Sequence, residues 1–301
     1  MSERSSKPPT HSLFGGLIRL QAHVGNPLFW IGPVWAVACG VIASGGFDPS
    51  ADDWLHLGLL ALLVDGGWGS LWSALIATDW ATPLHQWRRW HEGERSIPIT
   101  ALPYAQPDAP GARMIRWLAQ LRSWWRRVLR PQAGGALSTV AVGLAFTLIL
   151  SLLLGERLVL LSLAAIAITQ VVLIWKRGRG LPAPGWSALT LIGLAWLAGH
   201  TLFAPLTPIS AGLALAFALA WGSSGRSGTR GDYTLIALAH VLAMGLLVLT
   251  RRPLAAGAVG ILVVPQLALL PWMAPGDAVS WYVRYTRPWL MGAMVMAALA
   301  L

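Results

Sequence analysis

The sequence predicts an all-α polytopic membrane protein, a helical bundle of about nine transmembrane helices. Composition is the first reason. Of 301 residues, 55% are hydrophobic and 11% charged, with a mean hydropathy of +0.60. Soluble domains carry roughly 25% charged residues, and a chain this apolar does not stay disordered in water. The second reason is repetition. Apolar runs recur near 27–44, 55–78, 134–154, 157–175, 186–204, 207–222, 233–250, 254–273 and 287–301, and a spanning helix needs about 20 such residues. The third is the placing of the basic residues. If the N-terminus and the loops after even-numbered runs share one side, that side holds 19 of the 22 Lys and Arg. Cytoplasmic loops are enriched in just this way. The pattern therefore predicts a cytoplasmic N-terminus and a C-terminus on the opposite side. The net charge of +10 then reports topology, and nucleic-acid binding is not expected.

Taken in order, residues 1–25 form a polar, Ser/Pro-rich tail without the apolar core of a signal peptide. Residues 26–301 form one membrane domain, interrupted by a basic insertion at about 105–132. Within it, Ile115, Leu118, Leu121, Trp125 and Leu129 recur at spacings of three and four with arginines between them. This is a basic amphipathic helix whose Arg116, Arg122, Trp124, Trp125, Arg126 and Arg127 are expected at the lipid surface or against a partner protein. The first, sixth and ninth runs are short and contain Pro or Gly. The single Cys39 lies in an apolar run, so no disulfide framework is expected.

Polar groups in or beside the spans are the functional candidates, because placing them there is costly. Asp79 ends the second run, Asp232 begins the seventh, and Asp65 lies inside the second. His200 and His240 stand in apolar surroundings, where an imidazole either packs with a hydrogen bond or ligates a metal. The Gly-rich stretch 222–231 could contact an anion or be a plain loop. No phosphate-binding Gly-Lys-Ser/Thr motif, Cys-x-x-Cys or His-Glu-x-x-His is present.

At these residues the chain resembles the UbiA superfamily of intramembrane prenyltransferases, in its chlorophyll and bacteriochlorophyll synthase branch. NPLFWIGPVWAVACGVIASG at 26–45 is similar to that family's first span, and RSIPI at 95–99 to the Arg-Pro-Ile-Pro segment after its first aspartate motif. LAWLAGHTLFAPLTP at 194–208 resembles the fifth span and its turn, and RYTRPWLMGAMVMAALA at 284–300 the final helix. The resemblance implies a bundle of nine helices that transfers an isoprenoid from its diphosphate to a chlorophyllide, with two Asp-rich motifs holding Mg²⁺. Such a site needs several carboxylates, since Mg²⁺ takes oxygen ligands octahedrally and must neutralise a departing diphosphate.

The family pattern fails where that chemistry sits. In the first motif Asp79 is kept, while Thr78 replaces Asn and Thr82 and Gln86 occupy the later Asp positions. In the second, Ser224 and Gly225 replace Asn-Asp, Arg230 replaces Glu, Gly231 and Asp232 persist, and Tyr233 replaces Arg. The expectation is a catalytically degenerate relative that binds a (bacterio)chlorophyll, quinone or isoprenoid, or that supports subunits of a photosynthetic membrane complex. Its ligand contacts are expected at Asp79, Arg95, Asp232, Arg230, Trp30, Trp196 and His200. The alternative is an active prenyltransferase with a reduced Mg²⁺ site at Asp79 and Asp232. A transporter is disfavoured, because no internal repeat or pair of broken helices is evident.

Overall fold

A computed structural model describes residues 31–87, 90, 110–179, 184–224, 230–269 and 278–301. Among them every regular element is a helix, and the described parts of the apolar runs are helical, with residues 27–30 and 270–273 of those runs outside the described residues. Trp30 and Arg95 lie outside the described residues, as do the side chains of Arg230 and Asp232. The chain divides into two compact units, residues 1–72 with 142–301, and residues 73–141.

In the larger unit, α1 (Gly32–Ser44) begins with Pro33 in its first turn and ends at Gly45, whose φ of 63° is left-handed. That conformation suits Gly, and its N–H closes the turn onto the Ile42 carbonyl. Ser50 then caps α2 (Ala51–Leu62) by accepting the Asp53 N–H, with Asp52 and Asp53 favourably placed in the first turn. The helix continues through a fully buried π turn, Leu63–Gly69, into α3 (Ser70–Ala77). A second hinge, Gly155 at φ 110°, joins α6 (Arg130–Leu154) to α7 (Glu156–Arg179). Next come α8 (Pro184–Ala188), a π turn at Leu189–Gly193, and α9 (Leu194–Phe203). The bundle ends with α10 (Pro208–Ser224), α11 (Arg230–Leu249), α12 (Pro253–Ala268) and α13 (Ala278–Leu299).

Helix follows helix in contact: α9 packs on α1, α1 on α13, α13 on α12, α12 on α11 and α11 on α10, while α10 returns to α8 and its π turn. The closest of these approaches is between α1 and α9. A β-carbon on Gly40 would lie 2.0 Å from the Trp196 carbonyl oxygen, and one on Gly199 would lie 2.2 Å from that of Val37. Only glycine allows two backbones so near, which is how membrane helices gain contact without a hydrophobic driving force. Between α11 and α12 the chain turns in a Schellman motif. The Arg252 N–H reaches the Leu247 carbonyl and the Arg251 N–H that of Val248, with Arg251 itself left-handed at φ 60°.

The smaller unit holds α4 (Ala81–Trp87) and α5 (Pro110–Trp124), with a π turn at Trp125–Leu129 leading into α6. The basic amphipathic segment is thus not separated from the following span. Pro131, Gly134 and Gly135 do not break the helix, and Arg113–Leu154 runs as one element of 42 residues.

Among the described residues four helices are long and apolar enough to cross a bilayer: Ala51–Ala77, Arg113–Leu154, Glu156–Trp175 and Gly185–Phe203. Gly32–Ser44, Pro208–Ser224, Thr234–Leu249 and Pro253–Ala268 are apolar but shorter. The count of nine spans therefore exceeds what helix length alone supports.

Candidate functional site

The first motif region lies in the smaller unit, and its local chemistry is well defined. Asp79 Oδ1 accepts the backbone N–H of Ala81 at 2.9 Å and of Thr82 at 3.3 Å. Its Oδ2 accepts the Thr82 hydroxyl at 2.6 Å. This is an Asx turn that leads the chain into α4. Thr82 stands where the resemblance places a second acid, and here it binds the first one. Gln86, at the third acidic position, accepts the side-chain amide of Gln132. The intervening Pro83 carbonyl accepts the indole N–H of Trp124 at 3.1 Å. All three motif positions thus fasten α4 to its own surroundings.

Those surroundings are rich in tryptophan. Trp124, Val128, Leu129 and Ala133 form the centre, with Trp80, Trp87 and Trp90 packed around it. Trp87 meets Trp124 edge to face with centroids 5.3 Å apart. Trp124 is 6% exposed, so it belongs to this core and not with the residues expected at the lipid surface or against a partner. Ordinary helical spacing places it there: Leu121, Trp124 and Val128 follow one another at three and four residues and share one face. Trp125, Arg122, Arg126 and Arg127 are exposed and Arg116 is half-buried.

In the larger unit the end of α10 carries the second motif region. Trp221, Gly222, Ser223 and Ser224 are all buried. Both serine hydroxyls donate to carbonyls of their own helix, Ser223 to Leu219 and Ser224 to Trp221. The neutral residues in this motif are thereby tied back into α10. Over the Trp221 ring lies Arg287 of α13, its guanidinium carbon 4.2 Å from the centroid and its side chain 4% exposed. This cation–π contact was not anticipated from sequence, which counted Arg287 only as a topological charge. RYTRPW gave the available signal: an arginine well inside an apolar terminal helix. Arg230 and Asp232 fall in the first turn of α11.

Trp196 is fully buried, donating to the Ser210 hydroxyl at 3.0 Å and stacking on Phe217. It locks α9 to α10. His200, one turn on, is buried with Nε2 3.1 Å from the Pro205 carbonyl. His240 of α11 is buried with Nδ1 2.7 Å from the Ile236 carbonyl. Among the described residues the remaining ring nitrogens, His200 Nδ1 and His240 Nε2, have no hydrogen-bond partner, and neither has the buried Thr147 hydroxyl. That hydroxyl lies 2.6 Å from the point where a β-carbon on Gly67 would sit, beside the π turn that contains buried Asp65.

Among the described residues, one cluster has the ligand spacing of a metal site, Asp52, Asp53 and His56. Its groups are occupied in starting α2. Asp53 accepts the Asp48 N–H, and His56 Nδ1 lies 2.9 Å from the Asp52 carbonyl.

With this geometry in hand, three known proteins bear on the chain. It is 29% identical over 64% of its length to the chloroplastic chlorophyll synthase of Avena sativa. It is 28% identical over 64% to that of Oryza sativa subsp. japonica. Against the bacteriochlorophyll synthase 34 kDa chain of Chloroflexus aurantiacus it is 26% identical over 72%. The matched region spans 44% of each plant protein and 62% of the bacterial one. No family model and no solved structure matches the chain. These similarities support the chlorophyll synthase-like branch of the UbiA superfamily.

Proposed function

We propose that this chlorophyll synthase-like integral membrane protein no longer carries out magnesium-diphosphate chemistry. Instead it holds a tetrapyrrole, isoprenoid or quinone within its bundle, or supports a photosynthetic membrane complex. The observation that carries this reading is the fate of the first motif. Asp79, Thr82 and Gln86 are all engaged in fixing α4. A Mg²⁺ ion is held by at least one or two carboxylates with substrate phosphates and waters. Here the retained carboxylate already accepts three hydrogen bonds, its two later partners are neutral, and Arg230 adds positive charge where an acid would be needed. These residues do not fit the ion. The nine-span topology with a cytoplasmic N-terminus belongs to the same reading, supported by the 19-to-3 division of basic residues.

The test is direct. Purified protein is incubated with chlorophyllide, geranylgeranyl or phytyl diphosphate and Mg²⁺, and esterified pigment is measured. No product is expected, while pigment, quinone or partner subunits co-purify from a phototroph membrane. Product whose formation is lost in Asp79→Ala would overturn the reading and establish the reduced metal site at Asp79 and Asp232 in its place.

A further inference from the structure

In the smaller unit one side of α5 is apolar and uncovered. Met114, Trp117, Leu118, Leu121 and Trp125 follow one another at spacings of three and four, so they share one face of the helix. Leu121 is half-buried against the tryptophan core, but Met114, Trp117, Leu118 and Trp125 are 61, 51, 48 and 46% exposed. Rotating the helix cannot hide them, because its other side is pinned. The Trp124 indole N–H donates to the Pro83 carbonyl, the Gln120 amide to the Trp90 carbonyl, and the Trp90 indole N–H to the Ser123 hydroxyl. Turning Trp117 inward would break these bonds and carry Trp124 out of the core.

The edges of the exposed band are basic. Arg122 lies four residues after Leu118 and three before Trp125, Arg126 is one turn beyond Arg122, and Arg113 precedes Trp117 by four; all three are exposed. The segment holds no opposite charge of its own. Between Asp108 and Glu156 the chain has six arginines and no aspartate or glutamate.

An apolar band with two tryptophans and arginine edges fits a surface that is apolar beneath a negatively charged layer. An anionic bilayer leaflet has that order. Acyl chains accept the apolar side chains, indole rings sit at headgroup depth, and guanidinium forks meet phosphates. The chain itself keeps this surface near. The apolar run at 134–154 begins four residues after Arg130, so a leaflet is tethered within reach, whereas an acidic protein must arrive by diffusion. Between the band and that run lies the π turn at Trp125–Leu129. Helices change direction at such turns, which lets α5 follow the leaflet while the helix after it enters.

We propose that this face of α5 docks on the anionic phospholipid headgroups of the surrounding membrane. Met114, Trp117, Leu118 and Trp125 insert, and Arg113, Arg122 and Arg126 take the phosphates. Trp124 has no part in it. The inference does not depend on what the bundle holds.

The test uses the full chain with Leu118→Cys, labelled with bimane and placed one chain to a nanodisc. Cys39 is fully buried and stays unlabelled. The discs contain phosphatidylcholine alone or with phosphatidylglycerol. Quenching by a nitroxide-bearing lipid reports insertion, and quenching by acrylamide reports exposure to water. With phosphatidylglycerol, the label is expected to be quenched by the lipid and shielded from acrylamide. In pure phosphatidylcholine most of that should be lost. Salt at 1 M, where screening sets in beyond about 3 Å, should release the label without any further substitution. Changing Arg113, Arg122 and Arg126 together to Gln should lower the ratio of docked to undocked label about a hundredfold. Equal lipid quenching in the two kinds of disc, or quenching that survives both salt and the arginine changes, would overturn the proposal. A label shielded from acrylamide yet untouched by the lipid quencher would overturn it too, in favour of a protein contact on this face.

Discussion

Replacing Gly199 by alanine should separate the two most closely packed helices of the bundle. The new methyl would lie 2.2 Å from the Val37 carbonyl oxygen and 3.0 Å from the Val41 nitrogen. A carbon–oxygen contact of this kind settles at about 3.3 Å or more, so α1 and α9 must part by about 1 Å. Both obstacles are backbone atoms, and neither can turn aside. A radial gap of 0.5–1 Å forfeits roughly a quarter to a half of each dispersion contact. Overpacked cores lose about 1–3 kcal/mol, and the rigid obstacle puts Gly199→Ala at the upper end, about 3 kcal/mol. Gly40→Ala, 2.0 Å from the Trp196 oxygen, should cost a similar amount. The double variant should cost less than the sum, since helices already parted accommodate the second methyl. Gly245→Ala is the control. A β-carbon there meets nothing within 4 Å, and removing a helical glycine should gain roughly 0.5–1 kcal/mol. Equilibrium unfolding in mixed micelles, followed by tryptophan fluorescence, measures all four. A Gly199→Ala protein as stable as the Gly245→Ala control would refute the reasoning.

Other outcomes follow from the same geometry. Asp79→Ala should lose about 1–2 kcal/mol, the value of a lost helix-start turn, and millimolar Mg²⁺ should leave the melting of the parent unchanged. Mg²⁺-dependent stabilisation that disappears with Asp79 would make that carboxylate a ligand after all. Trp124→Ala should cost about 3–5 kcal/mol as a buried aromatic, against little for the exposed Trp125→Ala, in thermal melts of the full chain. Arg251→Gly should stabilise by about 1 kcal/mol, because a left-handed non-glycine residue carries a penalty of about 1–2 kcal/mol that glycine avoids. Neutralising Arg122, Arg126 and Arg127 together should weaken association of a detached 110–130 peptide with anionic vesicles and leave its binding to zwitterionic ones near baseline.

The helical character was legible because apolar run length is a property of long segments. Among the described residues the apolar runs are helical. What the pattern could not give was phase. In the basic segment Trp124 and Trp125 were placed together at the surface, yet neighbouring helical residues point about 100° apart, and Trp124 lies with Leu121 and Val128 in the tryptophan-rich core. The missing acids were visible as letters at 82 and 86. That Thr82 would bind Asp79 and Gln86 would meet Gln132 required coordinates, since the second of these pairs is 46 residues apart. Arg287 on Trp221 was missed for the same reason, the two residues lying on helices far apart in sequence. His240 was singled out from its apolar neighbours, but which nitrogen stays open is decided by a carbonyl one turn away.

The π turn at Leu63–Gly69 bears on how this chain is compared with its relatives. A π turn carries one residue more than the α-helix of equal rise, so everything beyond it is rotated by about 100° relative to what came before. Relatives with a plain α-helix here would have one residue fewer. An alignment carried gaplessly from the Asp52 end would then arrive at the far end in the wrong register, and would set Thr78 or Trp80 where Asp79 belongs. The correspondence of Asp79 has to be anchored from its own side, on the Ala-Thr-Asp-Trp sequence and the turn into α4. With the gap placed inside the π turn, Asp65 becomes part of an inserted element, to be explained by this protein's own interior.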